Sequence, residues 1–153
     1  MPNSLLIKKE IKEFDKVISV SGDKSISIRW VLFASLASGV SKAQNLLISE
    51  DVMAAINAVR KLGVKVILKD KFCKIHGNGF NGFNYRKNLT INAENSGTLG
   101  RLILGLLVNT DNPISLKGDK SLSKRDFRRV SDPLSKFGAA FKLNNNKNLP
   151  LTI

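Results

Sequence analysis

Two short stretches of this chain carry side chains suited to handling phosphate. Ser21-Gly22-Asp23-Lys24-Ser25-Ile26-Ser27-Ile28-Arg29 and Asn95-Ser96-Gly97-Thr98-Leu99-Gly100-Arg101 each set a Ser-Gly pair between a strand-like run and a long apolar segment. Val17 to Val20 and Leu89 to Asn92 read as the strands, and Lys24 to Ser38 and Gly97 to Val108 as the helices. Each Ser-Gly junction is then a helix N-terminus, where unpaired N–H groups and the helix dipole already present positive charge. Lys24, Arg29 and Arg101 add cations there, each unfavourable by roughly 0.3–1 kcal/mol at an exposed site. A bound anion removes the conflict, because N–H groups, dipole and side chains then act on it together. Internal carboxylates are the competing way to satisfy the same cations.

The elements that must position these residues follow from the rest of the pattern. The first helix carries Ile26, Ile28, Trp30, Val31, Leu32, Phe33 and Leu36, apolar nearly all round, which predicts burial on every side. Before it, Ser4 to Lys12 and Lys16 to Val20 read as strands joined by a polar turn. After it, Gly39 ends the helix and Ala43 to Leu47 reads as a strand. Ser49-Glu50-Asp51 opens an amphipathic helix with Val52, Ala55, Ile56, Val59 and Leu62 at helical spacing, acids in its first turn, Arg60 and Lys61 in its last, and Gly63 beyond. On this reading Asp51 is a first-turn helix residue rather than a base. Strands at Val64 to Leu68 and Phe72 to His76 follow, then a Gly/Asn-rich loop at Gly77 to Asn84.

The order then recurs. Gly22 falls on Gly97 and Gly63 on Gly138, an offset of 75 residues each time, with Leu32 on Leu107 and Val59 on Leu134. One βαβαββ unit is therefore expected twice. In the second unit Ile114 to Lys117 is the middle strand, and Lys124-Arg125-Asp126 opens a helix bearing Phe127, Val130, Leu134 and Phe137, with Pro133 inside it to kink it or delay its start. Lys124 and Arg125 again place cations at a helix start, a third contribution to an anion site. Leu151-Thr152-Ile153 reads as a strand without a sequel, so an amino-terminal piece of a longer protein is expected.

A hydrophobic content of 42% argues for a globular chain and against disorder. The apolar runs are too short to span a bilayer, no signal-peptide pattern opens the chain, and the one cysteine, Cys73, excludes an internal disulfide. Those features predict a cytoplasmic setting. Cys73 has no His partner in sequence to make it a nucleophile, and His76 is expected on the surface. A net charge of +13 makes nucleic acid the first competing partner, yet the chain lacks an RNA-binding aromatic signature, zinc spacing and an Arg-rich tract.

These stretches, with Gly118-Asp119-Lys120-Ser121-Leu122, Arg125, Pro133-Leu134 and Phe137-Gly138-Ala139, resemble the amino-terminal part of the 5-enolpyruvylshikimate-3-phosphate synthases. The motifs run over nearly the whole chain in the right order. The resemblance implies an α/β (α+β) fold of tandem βαβαββ units, part of an inside-out α/β barrel of the enolpyruvyl transferase type. Residues 1–19 would be strands of the other, carboxy-terminal domain. Residues 20–153 would supply two units, about 20–77 and 88–153, of the amino-terminal domain. It implies transfer of the enolpyruvyl group of phosphoenolpyruvate to the 5-hydroxyl of shikimate 3-phosphate, releasing phosphate, with neither cofactor nor metal.

Carried over by position, Lys24 would lie between the substrates as the proton-transferring residue, and Ser25 and Arg29 would hold shikimate 3-phosphate. Arg125 would grip the phosphoenolpyruvate phosphate, while Asn95, Gly97, Thr98 and Arg101 would shape that side of the site. The partners implied are the two substrates and the missing carboxy-terminal half, whose carboxylates the reaction needs, so this chain alone is expected not to turn over. Two departures stand out: Ile28 where an Asn is common, and Asp126 where Pro is usual, its carboxylate free to pair with Arg125 or a neighbour and weaken phosphate binding. Two rivals remain open, a UDP-N-acetylglucosamine enolpyruvyl transferase, which typically has Asn in place of Ser25, and a basic RNA-binding or RNA-end-processing module.

Overall fold

The computed structural model describes residues 6, 8, 13, 15–80 and 82–153. Its elements are α1 (Lys24–Leu36), β1 (Ser38–Ala43), α2 (Glu50–Lys61), β2 (Lys65–Lys69), β3 (Phe72–Asn78), β4 (Leu89–Asn92), α3 (Gly97–Leu107), β5 (Ile114–Lys117), a 3-10 turn at Leu122–Lys124, α4 (Arg128–Lys136), β6 (Lys142–Asn144) and β7 (Asn148–Thr152). The strands make two sheets, ordered β1-β3-β2 and β4-β5-β7-β6. In the second, β4 runs parallel to β5 and the other pairs are antiparallel; in the first, both pairs are antiparallel. The expected βαβαββ order is thus complete in the second unit, and the first shows the same order from α1 onward.

Lys16 to Val20, expected as the leading strand of the first unit, forms no strand. An extended run needs a ladder partner, and among the described residues none lies beside it; Val17, Ile18 and Val20 are exposed. The strand expected over Ser4 to Lys12 lies outside the described residues apart from Leu6 and Lys8. β1 begins at Ser38, five residues earlier than expected, because its partner is fixed by β3, with Ser38 opposite Asn78 and Ala43 opposite Cys73. The residues after it form a loop. β6, unmarked by apolar alternation, was not foreseen.

Helix α2 forms as its sequence dictates. Ser49 Oγ accepts the Val52 N–H, and Gly63, at φ 85°, closes the end by donating its N–H to the Arg60 carbonyl while Val64 N–H reaches the Val59 carbonyl. In α1, Asp23 is the cap, its Oδ1 accepting from Ile26 N–H at 2.7 Å. Ile28, Val31 and Leu32 turn inward and pack with Val52, Ala55, Ile56, Val59 and Ile75 in one core that continues through Leu99, Ile103, Leu104, Ile114 and Leu116 of the second unit. Burying each such aliphatic side chain contributes about 1.5–3 kcal/mol.

The other face of α1 is bare. Ile26 and Phe33 are 69% and 67% exposed, Trp30 is half-buried between them, and Arg29 emerges on the same stripe, so the helix is covered on one side only. Ile28, the departure from the family pattern, is fully buried and serves the core. Cys73 is buried, which pushes its thiol pKa up and leaves it unreactive. His76 lies within β3, half-buried, its Nε2 without a hydrogen-bond partner among the described residues, and not on the surface as expected. Among the described residues no helix is long and apolar enough to cross a membrane.

Candidate active site

The starts of α1, α2 and α3 converge with the segment between the 3-10 turn and α4 on a cavity of about 430 Å³ lined by Lys24, Glu50, Asp51, Asn95, Gly97, Thr98, Arg101 and Arg125. Six of the eight residues singled out from the sequence therefore meet. Ser25 and Arg29 do not line it, because α1 carries them round to its bare side. A larger groove of about 780 Å³ runs along α2 beside β4, but its lining mixes Glu50 and Glu94 with Arg60, Lys61 and Lys117 and gathers no single charge.

Ser96 caps α3, its Oγ accepting the Leu99 N–H at 3.3 Å, and Gly97 and Thr98 of the first turn line the cavity. Both guanidinia close over Gly97: a Cβ placed there would stand 2.8 Å from Arg125 Nη1 and 3.0 Å from Arg101 Nη1. Like charges this close repel by a few kcal/mol where the effective dielectric is about 20. Among the described residues neither Arg101 nor Arg125 is in an ion pair. Arg125 Nη2 lies 3.5 Å from Asn95 Oδ1, at the edge of a hydrogen bond, and Arg101 Nε is buried without an acceptor.

Lys24 behaves differently. Its Nζ is 2.9 Å from Asp51 Oδ2, with Asp51 20% exposed, so an internal carboxylate satisfies this cation, and Asp51 is more than a first-turn residue. The pair joins residues 27 positions apart on two helices, a signal invisible in local spacing. Glu50, read in sequence only as a first-turn acid of its helix, lines the same cavity.

Arg125 and Lys124 do not begin a helix. Arg125 is extended, at φ −77° and ψ 149°, while Lys124 lines a separate surface hollow with Lys120 and Lys147. The helix starts at Arg128 because Asp126 Oδ1 accepts its N–H at 2.8 Å and the carboxylate takes its guanidinium as well. Asp126 thereby leaves Arg125 free, which removes the expected competition. Phe137 is exposed, outside the core pattern proposed for this helix.

The hydrogen bonds and charge of Arg128 hold the Asp126 carboxyl down at about 2, below its ordinary 3.8. The fold favours the ionised form, so its contribution is complete above the ordinary value and is lost as pH falls through about 2. Acid titration followed by circular dichroism is expected to show a stability loss between about pH 4 and 2 that is smaller in Asp126→Asn.

The tandem α/β units bring Arg101, in the first turns of α3, and Arg125, in the extended link before α4, together without an ion-pair partner among the described residues, and comparison places this architecture in a family. A family model for EPSP synthase (3-phosphoshikimate 1-carboxyvinyltransferase) matches residues 8–153, and the chain belongs to that family. It is 40% identical over 146 residues to the 3-phosphoshikimate 1-carboxyvinyltransferase of Sulfurihydrogenibium sp., covering 95% of this chain and 34% of that protein. It is 42% identical over 133 residues to that of Streptococcus mutans, covering 87% and 31%. The solved EPSP synthase from Acinetobacter baumannii superposes with a TM-score of 0.83 at 33% identity, over 89% of this chain and 31% of that one. The architecture is accordingly part of an inside-out α/β fold, and the chain spans about a third of the length of the curated relatives it matches.

Proposed function

We propose that this chain supplies the amino-terminal part of a 3-phosphoshikimate 1-carboxyvinyltransferase, including most of its phosphoenolpyruvate side. The observation that carries the reading is the meeting of the Arg101 and Arg125 guanidinia over Gly97 with no carboxylate partner among the described residues. Two cations held together at a helix start are stabilised by a multiply charged oxyanion, and phosphoenolpyruvate offers both a phosphate and a carboxylate.

In the reaction the 5-hydroxyl of shikimate 3-phosphate gives up its proton and adds to C2 of the enol while a proton is delivered to C3; phosphate then departs from C2 as a proton is lost from C3, restoring the double bond. Arg125 grips the phosphate and orients it for departure; Asn95, Gly97, Thr98 and Arg101 shape the pocket round it. Lys24, beside Asp51, stands between the substrates and passes the proton. Ser25 and Arg29 hold shikimate 3-phosphate from the other side of α1. That half-site is completed by further chain over the stripe of Ile26, Trp30 and Phe33. Residues 1–19 belong to the second domain, whose strands give Lys16 to Val20 the ladder partner they lack here.

Titration calorimetry of the 153-residue chain is expected to show shikimate 3-phosphate binding on the order of 0.1–1 mM, roughly −5.5 to −4 kcal/mol, with no response to UDP-N-acetylglucosamine. With both substrates present, no phosphate release is expected. Family-level turnover by the chain alone refutes its incompleteness; binding to generic RNA that falls steeply with salt, without preference for shikimate 3-phosphate, refutes the reading itself.

A further inference from the structure

We infer that Phe127 is a positioning residue of the anion site: its ring is the platform that holds the Arg101 guanidinium over Gly97. The inference deepens the proposed function and rests on it for the consequence in ligand binding. The Arg101 guanidinium carbon stands 5.5 Å from the centroid of the Phe127 ring, within the range where the negative face of an aromatic attracts a cation. Among the described residues nothing else fixes that group. Its Nε is buried without an acceptor, and no carboxylate pairs with it. A buried charged N–H lacking a partner is costly, so the favourable contact that retains Arg101 comes from the face of the guanidinium rather than its edge.

The platform is rigid. Phe127 is fully buried, its N–H donates to the Lys147 carbonyl at 2.8 Å, and its own carbonyl accepts from Val130 and Ser131, both at 3.0 Å, at the opening of α4. The ring lies on α3 at Gly100, where its edge stands at van der Waals distance, 3.4 Å, from the position a Cβ would take. Phe127 also follows Arg125 by two residues in the link to α4. One buried anchor therefore sets the backbone that presents Arg125 and carries the side chain of Arg101. Two cations repel at this distance, and a ring that is negative on its face favours their coming together where an aliphatic side chain of similar size does not.

The test uses the nitrogen-15-labelled 153-residue chain and inorganic phosphate as the probe. In wild type, the Arg101 Nε–Hε resonance is expected to be displaced by the ring current, and in Phe127→Leu to return among the other arginines. Replacing Phe127 by pentafluorophenylalanine preserves the packing shape but reverses the ring quadrupole, and it serves where Phe127→Leu fails to fold. It is expected to leave the melting temperature close to wild type while weakening phosphate binding roughly 3- to 10-fold. Equal phosphate affinity in the fluorinated and wild-type chains, or an Arg101 resonance that Phe127→Leu does not move, overturns the inference. A ring-displaced Arg101 in a chain that ignores phosphate supports the platform and overturns instead the anion site on which its consequence rests.

Discussion

Gly97→Ala is expected to leave the fold standing while weakening phosphate-bearing ligands about tenfold or more. The added Cβ meets only the tips of two flexible side chains, Arg125 Nη1 at 2.8 Å and Arg101 Nη1 at 3.0 Å. Those tips swing away at little cost, and alanine is the better helix former by up to about 1 kcal/mol, so stability is held or gained. What is lost is the place where both guanidinia close on one ligand, and a charge-assisted contact of that kind is worth roughly 1.5–3 kcal/mol. Thermal melting together with phosphate titration checks both halves; a lowered melting temperature with intact binding contradicts the geometry.

Gly22→Ala, at the matching position of the first unit, is expected to do the reverse. There the Cβ would stand 2.3 Å from the Asn45 carbonyl oxygen and 2.8 Å from the Leu47 nitrogen, both backbone atoms. The loop cannot withdraw: Leu46 is buried in the core, Leu47 N–H donates to Ser27 Oγ at 3.1 Å, and Asn45 Nδ2 donates to the Val20 carbonyl at 3.0 Å. Forced overpacking typically costs 1–3 kcal/mol, and against immobile backbone the upper end applies, a fall of roughly 5–10 °C in melting temperature for a domain of this size. Denaturant unfolding measures it, and a wild-type midpoint contradicts the prediction. Two glycines aligned by the repeat thus guard different things, a charged side-chain junction in one unit and a crossing of main chains in the other.

How far such matters are legible in sequence depends on whether the signal is local. Helix α2 was readable at both ends because its cap, its charges and its closing glycine all lie within its own residues. α3 and β4 were readable for the same reason, and with them Asn95, Gly97, Thr98 and Arg101. Lys16 to Val20 has strand composition, but a strand exists only with a neighbour, and that neighbour is not set by the run itself. The start of α4 was misplaced because a side chain, Asp126, decides it. The conflict that called for an anion persists in the fold only at Arg101 and Arg125, which find no ion-pair partner among the described residues; Lys24 found Asp51, and Arg29 departed on another face of its helix. Phe127, seen in sequence as one more apolar residue, acquires its significance only when α4 folds back on α3.

The half-covered helix α1 also gives the molecule an optical reporter. Trp30 is the only tryptophan, and it sits beside Arg29 on the exposed stripe. Its indole is solvated on one side, so its emission registers whether that stripe faces water or another surface, and any segment that seats itself there announces its arrival as a blue shift without a label.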